Sequence, residues 1–304
     1  MGKRKIPIEA FALHEERSRK IRKVMVDLLK EVPGDEVAIL LSSGVDSHGV
    51  LFAALEAGKT PVCYSATLDD RESQDFKGAR NTAKTLGLKF VPVYLSTDVS
   101  EIYNFVSKTI YNPKVNPGIT VGKALVECLW PVARIFDKIK EKHIVTGFNG
   151  DTWYCTLRSQ KKEYLKGNYA NVVKQYYTIY NSPDGIKEPQ RIMQLGYLNQ
   201  KKPGTNLYVP YNSPRMFKVM EGMDPIKEGW KPIQKAPMRL AFWDYFELCR
   251  DSVYIHVPLQ KGDSGIEEHF RKLLDTDLNT KGYKSTIGIY NDFLRKWRDL
   301  YDKD

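Results

Sequence analysis

The first half of the chain alternates short apolar runs with longer segments in which apolar and charged residues share a helical period. The apolar runs cover residues 37–41, 61–66, 89–94 and 143–147. Such runs are typical of parallel strands, because these strands are covered on both faces. Between them, the pattern predicts helices over residues 15–32, 48–57, 74–86, 99–107 and 123–141. The order predicts an α/β fold with a doubly wound, mainly parallel sheet and right-handed crossovers.

The second half of the chain lacks this alternation. Its pattern predicts mostly helix, with long irregular connections rich in Tyr, Asn, Lys and Pro between residues 181 and 237. We therefore expect two parts. Residues 1–160 would form the α/β domain with an N-terminal helix, and residues 161–304 would form a mostly helical part that closes the active site.

Composition places the chain among water-soluble globular proteins. It has 304 residues, of which 42% are hydrophobic, and a mean hydropathy of −0.45. No apolar run approaches the length that spans a membrane, and the first five residues are not followed by the apolar stretch of a secretory signal. We therefore expect a cytoplasmic protein. The four cysteines form no C-x-x-C pair, so neither zinc nor a disulfide framework is implied.

The chain is strongly basic, with a formal net charge of +10. Such a charge suits a polyanionic partner, although an excess of lysine is also common on soluble surfaces. Basic clusters occur at residues 3–5, 138–142, 161–162 and 201–202, with many tyrosines between the later ones. A nucleic acid is therefore one candidate partner, while binding of ATP would account for part of the charge.

Small and polar residues follow directly after the first apolar run and precede a predicted helix. Ser42, Ser43 and Gly44 let the backbone pass close to an anion, and the first N–H groups of the helix can point at that anion. Asp46 adds a carboxylate where a phosphate and a divalent cation would meet, and Ser47 adds a hydroxyl. The alternative is helix capping alone. The candidate loop consists of Leu41, Ser42, Ser43, Gly44, Val45, Asp46 and Ser47.

A second carboxylate follows the fourth apolar run. Asp151 lies in the turn after residues 143–147, and ligands of open parallel sheets gather beyond the carboxyl ends of the strands. If the strand order brings Asp151 opposite Asp46, the pair could hold Mg²⁺ against a triphosphate. The alternative is a turn aspartate that bonds to its own backbone. Ser65, near the end of the second run, would lie near the nucleotide by the same topology.

The order S-S-G-V-D-S at residues 42–47 resembles the S-G-G-x-D-S loop of the N-type ATP pyrophosphatases, or PP-loop family. This family includes asparagine synthetases, GMP synthetases and tRNA-modifying ligases. The segments at residues 64–66, 72–87 and 145–151 look like the synthetase domain of asparagine synthetase and β-lactam synthetase, element by element. The resemblance covers residues 36–151 and implies a fold of the adenine nucleotide α-hydrolase type.

The resemblance also implies ligands and roles for particular residues. ATP and Mg²⁺ would be the cofactors, Thr146 and Gly147 would face the adenine, and Asp151 would bind Mg²⁺ together with Asp46. Lys235 lies in a segment similar to the family's K-x-x-L-R, which places a lysine on the phosphates; the alternative is a surface lysine before a proline-capped helix. Lys261, in a loop that weakly resembles a later lysine loop of the family, is a further candidate.

Three departures from the family pattern bear on function. Ser43 stands where the family usually has glycine, and Phe148 takes the place of a glutamate thought to help deprotonate the incoming amine. Gly2 stands where asparagine synthetases carry the cysteine of their glutaminase domain, so we expect this domain to be absent. Ammonia would then come from solution or from a partner, unless the substrate carries its own amine.

Three hypotheses follow from these observations. The first is a ligase that adenylates a substrate oxygen, with a carboxylate as the main candidate, releases pyrophosphate and then forms an amide-type C–N bond with ammonia or an amine. The second is an adenylating enzyme that modifies a nucleotide, a tRNA or a DNA base. The third is a nucleotide-binding module without catalysis. Salt-sensitive binding of nucleic acid would separate the second hypothesis from the first.

Overall fold

In the part of the chain that the structure describes, five parallel strands form one sheet. The computed structural model describes residues 6–118, 122–154, 158–168, 189–254, 262–274 and 286–301. The strands are β1 (Glu36–Leu40), β2 (Thr60–Leu68), β3 (Lys89–Leu95), β4 (His143–Thr146) and β5 (Asn206–Tyr208). Their order in the sheet is β3-β2-β1-β4-β5. This architecture confirms the predicted α/β class with its mainly parallel sheet.

Helices lie on both faces of the sheet. They are α1 (Glu15–Lys30), α2 (Val45–Glu56), α3 (Gln74–Thr85), α4 (Val99–Phe105), α5 (Lys123–Lys138), α6 (Arg158–Leu165), α7 (Pro189–Lys201), α8 (Pro214–Met220), α9 (Ala236–Ala241), α10 (Trp243–Leu248), α11 (Ile266–Leu274) and α12 (Thr286–Tyr301). Within the described ranges, no helix is long and apolar enough to cross a membrane.

Alternate side chains of the sheet supply two separate hydrophobic cores. Val37 and Ile39 of β1 belong to a core with residues of α1, α2, α9 and α10, whereas Ala38 belongs to a core with α5, α7, α11 and α12. Successive side chains of a strand point to opposite faces, so a strand between two helical layers is apolar throughout. This burial explains why the apolar runs identified the strands.

The strand order places a topological switch between β1 and β4. The chain proceeds from β1 to β2 and β3 on one side, and later returns to β4 and β5 on the other. Leu40 at the end of β1 lies opposite Thr146 at the end of β4. Ligands of open α/β sheets bind at such a switch, beyond the carboxyl ends of the strands. The turns after β1 and β4 therefore define the place to look for a site.

Most elements differ from the sequence prediction by a few residues at their ends, and two differences have a clear structural cause. Helix α2 begins at Val45 instead of residue 48, because Gly44 adopts an extended conformation (φ −75°, ψ 149°) and the helix follows the loop at once. Strand β5 was not predicted. It has three residues and gains its place by pairing with β4, where Ile144 lies opposite Leu207. A strand this short has no periodic signal of its own in the sequence.

Candidate functional site

The turn after β1 is held together by the hydroxyl groups of two serines. The Ser42 hydroxyl accepts a hydrogen bond from the Gly44 N–H at 3.1 Å, and the Ser47 hydroxyl accepts one from the Ser42 N–H at 3.2 Å. No side chain caps the N-terminus of α2. The first N–H groups of a helix have no partner within it and carry a partial positive charge. The loop thus presents an uncapped helix N-terminus beside β4.

Ser43 is anchored by a carboxylate from α3. Its backbone N–H donates to Asp75 Oδ1 at 3.2 Å, and its hydroxyl makes a short hydrogen bond to the same oxygen. A Cβ atom at Gly78 would lie 2.6 Å from the Ser43 Cβ and 2.5 Å from the Ser252 carbonyl oxygen. Serine therefore fits this position because Asp75 binds its hydroxyl and because residue 78 has no side chain. The role of Asp75 was missed by the sequence analysis.

His48 fixes the first turn of α2 as a neutral side chain. One ring nitrogen, Nδ1, lies 2.9 Å from the Gly44 carbonyl oxygen, and the other, Nε2, lies 2.8 Å from the Thr82 hydroxyl. Burial lowers the pKa of His48 to about 4, because the charged form is poorly solvated in the protein interior. The imidazole is therefore uncharged at neutral pH and joins the loop to α3.

The turn after β4 packs directly against the first turn of α2. A Cβ atom at Gly147 would lie 2.6 Å from the Asp46 carbonyl carbon and 2.6 Å from the Ser47 nitrogen. A Cβ atom at Gly150 would lie 2.3 Å from the Asp46 side chain. These distances leave no room for any residue except glycine, and the close approach brings Asp151 next to Asp46.

Lys235 lies between the two aspartates. Its ammonium group donates to Asp46 Oδ2 at 2.5 Å and makes a short hydrogen bond to Asp151 Oδ1. The lysine is 1% exposed and adopts a left-handed conformation (φ 60°, ψ 37°) immediately before α9. The structure thus brings together three residues selected from the sequence, and the lysine is buried instead of lying on the surface.

The three charges shift one another's pKa values. Burial raises the pKa of Asp46 to about 7, the Lys235 ammonium opposes this rise, and the Asp151 carboxylate adds to it. Burial lowers the pKa of Lys235, but the two carboxylates outweigh this effect and raise it above its usual value. The lysine is therefore charged at neutral pH, whereas Asp46 changes its charge near neutrality.

The two carboxylates fit a magnesium ion that also binds phosphate oxygens. Asp46 Oδ1 is buried and has no hydrogen-bond partner among the described residues, although Oδ2 binds Lys235. Such an orphaned carboxylate oxygen can be satisfied by a cation. Mg²⁺ is commonly held by one or two carboxylates together with substrate phosphates. Across the described ranges, no group of three or more His, Cys, Asp or Glu side chains is arranged to hold a metal ion.

The other residues selected from the sequence lie at various distances from this cluster. Leu41 and Val45 pack their side chains into the core, so they can offer only backbone groups to a ligand. Thr146 ends β4, and its hydroxyl accepts a hydrogen bond from the Phe148 N–H at 3.3 Å. Ser65 lies on β2 opposite Pro92 of β3. Lys261 lies outside the described residues.

Comparison with known proteins finds structural likeness without close sequence relatives. No family model matches the chain, and no curated protein matches its sequence. The U34-tRNA thiolase NcsA from Methanococcus maripaludis, a structure with its 4Fe–4S cluster, is similar at 15% identity and a TM-score of 0.40, covering 97% of this chain and 81% of that chain. NMN synthetase from Francisella tularensis is similar at 13% identity and a TM-score of 0.38, covering 94% and 95%.

Similarity at this level carries no information on the site residues. The fold and the side chains of this chain define the type of site by themselves. It consists of an uncapped helix N-terminus at the switch point of a parallel α/β sheet, beside two carboxylates that share a buried lysine.

Proposed function

We propose that the chain is an ATP-dependent adenylating enzyme of the PP-loop type, which releases pyrophosphate and transfers AMP to an acceptor. The observation that carries this proposal is the cluster of Asp46, Asp151 and Lys235 at the N-terminus of α2. Helix N–H groups, a lysine and two carboxylates are the groups that a metal-bound triphosphate requires. Residues 1–160 would bind the nucleotide, and residues 161–304 would supply Lys235 and close the site.

In the first step, an oxygen of the acceptor attacks the α-phosphorus of ATP, and the bond between this phosphorus and the α,β-bridging oxygen breaks. The acceptor becomes an adenylate, and pyrophosphate leaves with the electron pair. The N–H groups of residues 45–47 bind the phosphates, and Lys235 stabilises the charge that develops on pyrophosphate. Mg²⁺, held by Asp46 and Asp151, would supply further neutralisation of the phosphate oxygens. A nucleophile then displaces AMP from the adenylate.

For the acceptor, we propose a nucleotide or a nucleic-acid base in preference to an amide-forming carboxylate substrate. Phe148 packs against the hydrophobic core and offers no group that could deprotonate an incoming amine. This side chain argues against amide formation by the route of the asparagine synthetases. The net charge of +10 suits a polyanionic acceptor such as RNA. We place the reaction in the cytoplasm, with no membrane involved.

The test is the release of AMP and pyrophosphate from Mg²⁺-ATP in the presence of amino acids, nucleotides or RNA. The Asp46→Asn variant should abolish release, because the neutral amide cannot hold the cation. Asp27→Asn is the matched control, since this carboxylate is on α1 and pairs with Lys23 at the surface. Release of ADP and phosphate, or unchanged release by Asp46→Asn, would refute the proposal.

The panel also separates the competing functions. Turnover that depends on a nucleotide or RNA and weakens steeply with added salt supports the proposed acceptor. Turnover with an amino acid and ammonia supports the amide-forming ligase instead. Tight binding of Mg²⁺-ATP without turnover on any acceptor indicates a nucleotide-binding module.

A further inference from the structure

Arg239 lies in α9 four residues after Lys235, and its backbone N–H donates to the Lys235 carbonyl oxygen at 3.1 Å. Its Nε–H donates to the Gln234 carbonyl oxygen at 3.1 Å, and its guanidinium carbon lies 5.6 Å from the centre of the Phe246 ring. The Phe246 ring is in turn 6.3 Å from the His48 ring. These contacts hold the guanidinium against Phe246, whose ring lies next to His48 in the first turn of α2.

The charge of Arg239 is not paired with a carboxylate in the described ranges of the chain. Other partly buried arginines are paired: Arg17 binds Glu228 at 2.8 Å, and Arg134 binds Asp137 at 3.0 Å. Burial lowers the pKa of Arg239 to about 10, and the nearby Asp46 opposes this effect. A partly buried guanidinium without a counter-ion is costly, unless an anion binds beside it.

The local charges give a reason for an additional cation at this place. Three carboxylates, those of Asp46, Asp75 and Asp151, lie around the loop, whereas Lys235 is the cation bound to two of them. With the Mg²⁺ of the proposed function bound, the three carboxylates and the two cations balance, so the charge of an approaching triphosphate is left uncompensated. Lys235 binds both aspartates, so its single charge is shared between these carboxylates and phosphate. Arg239 supplies a positive charge that no carboxylate has taken.

We propose that Arg239 binds the pyrophosphate portion of the nucleotide through its free Nη–H groups. The inference rests on the proposed function and assigns a phosphate-binding role to a residue outside the cluster described above. A guanidinium presents its donors in a planar fork that matches phosphate oxygens, and the Phe246 ring keeps this fork in one orientation. Arg239 would hold both the ground-state phosphates and the pyrophosphate that leaves.

The experiment measures binding of inorganic pyrophosphate in the presence of Mg²⁺ by titration calorimetry, so that no turnover is needed. Replacement by Arg239→Gln should weaken pyrophosphate binding by about 10-fold to 100-fold, the range expected for lost hydrogen bonds to a charged group. Arg239→Lys should restore part of the affinity, because it retains the charge but loses the fork. Binding of adenosine, which carries no phosphate, should be unchanged in both variants.

Arg215→Gln is the control, because it removes the same charge from an exposed arginine that pairs with Glu31. Thermal unfolding of each variant reports whether it is folded. If Arg239→Gln does not fold, Arg239→Lys still tests the inference. A pyrophosphate affinity within twofold of the wild type in Arg239→Lys and Arg239→Gln would overturn the inference. If pyrophosphate binding depends on Arg239 but the wild type releases no AMP, the inference stands and the proposed function fails.

Discussion

The turns after β1 and β4 lie side by side at the switch point of the sheet but are built by opposite means. The turn after β1 uses polar side chains, since the hydroxyls of Ser42, Ser43 and Ser47 all take part in hydrogen bonds. The turn after β4 uses the absence of side chains, since Gly147 and Gly150 allow it to contact α2. The turn after β1 is therefore held by hydrogen bonds that a ligand can replace. The turn after β4 is held by close packing, which leaves its backbone no room to move.

This difference suits what each turn has to position. A loop that receives phosphate benefits from hydroxyl and amide groups that can change partners as the anion arrives. A carboxylate that has to face another carboxylate is repelled by it, so its position needs a rigid support. The close contact at Gly150 supplies that support for Asp151, and the Lys235 ammonium offsets the repulsion between the two aspartates.

The largest effect should come from Lys235→Met, which removes the charge that joins the two turns. We expect the rate of pyrophosphate release to fall by about 10²-fold to 10³-fold, the usual loss when one stabilising charge is removed from a developing anion. The measurement is single-turnover release from Mg²⁺-ATP at saturating acceptor. Lys231→Met, at an exposed residue four positions earlier, is the control and should retain activity. A loss below threefold would show that Lys235 is structural.

Gly147→Ala should distort the turn after β4 without removing any charged group. The added Cβ would collide with the backbone of α2, which cannot shift as a side chain does. Overpacking of this kind destabilises a folded protein by about 1–3 kcal/mol. Chemical denaturation would measure the loss. Gly122→Ala is the control, because the space around that Cβ is open, and it should change stability by much less.

The pH dependence of pyrophosphate release should report the ionisation of Asp46. The carboxylate form is needed to bind a cation, and its pKa is raised to about 7. Release should therefore fall about tenfold for each pH unit below this value. The Lys235 ammonium opposes the rise in the pKa of Asp46. In Lys235→Met, the activity that remains should therefore begin to fall at a higher pH than in the wild type. An acidic limb near pH 4 would exclude Asp46 as the group responsible.

The smallest effect should follow from substitutions in the turn after β1, whose hydrogen bonds a ligand can replace. Ser43→Ala removes the hydroxyl that binds Asp75 but keeps the N–H bond to the same carboxylate. We expect a loss of about 1 kcal/mol in stability and a modest rise in the KM for ATP. A double-mutant cycle with Asp75→Ala measures the coupling between the two side chains. Additive effects would show that this hydrogen bond does not hold the loop.

Local sequence patterns were sufficient for the α/β alternation but not for all of the candidate site. The runs that became β1 to β4 are apolar because helices cover both faces of the sheet, so their burial is visible in the sequence. Asp75 carried no such signal, since its role depends on the spacing between α3 and the loop. Gly150 was likewise ordinary in sequence, and only the approach of Asp46 shows why it lacks a side chain.

Lys235 is an intermediate case, because the sequence indicated a role for this residue but not the surroundings of its side chain. A resemblance to a short motif selected it, yet its burial and its left-handed backbone follow from the packing of α9 against α1 and α2. Tertiary contacts of this kind leave no periodic trace around a single residue. A surface position was therefore an equally reasonable interpretation of the sequence.

The distance along the chain between Asp46 and Lys235 also has a consequence for biosynthesis. The two residues are 189 positions apart, and a ribosome adds about 5–20 residues per second. Asp151 precedes Lys235 by 84 positions, so for about 4–17 seconds before Lys235 is added the nascent chain contains both aspartates but lacks their shared counter-ion. Under the proposed function, a nascent chain that has not yet reached Lys235 lacks the ammonium that stabilises the departing pyrophosphate, so it cannot yet turn over ATP.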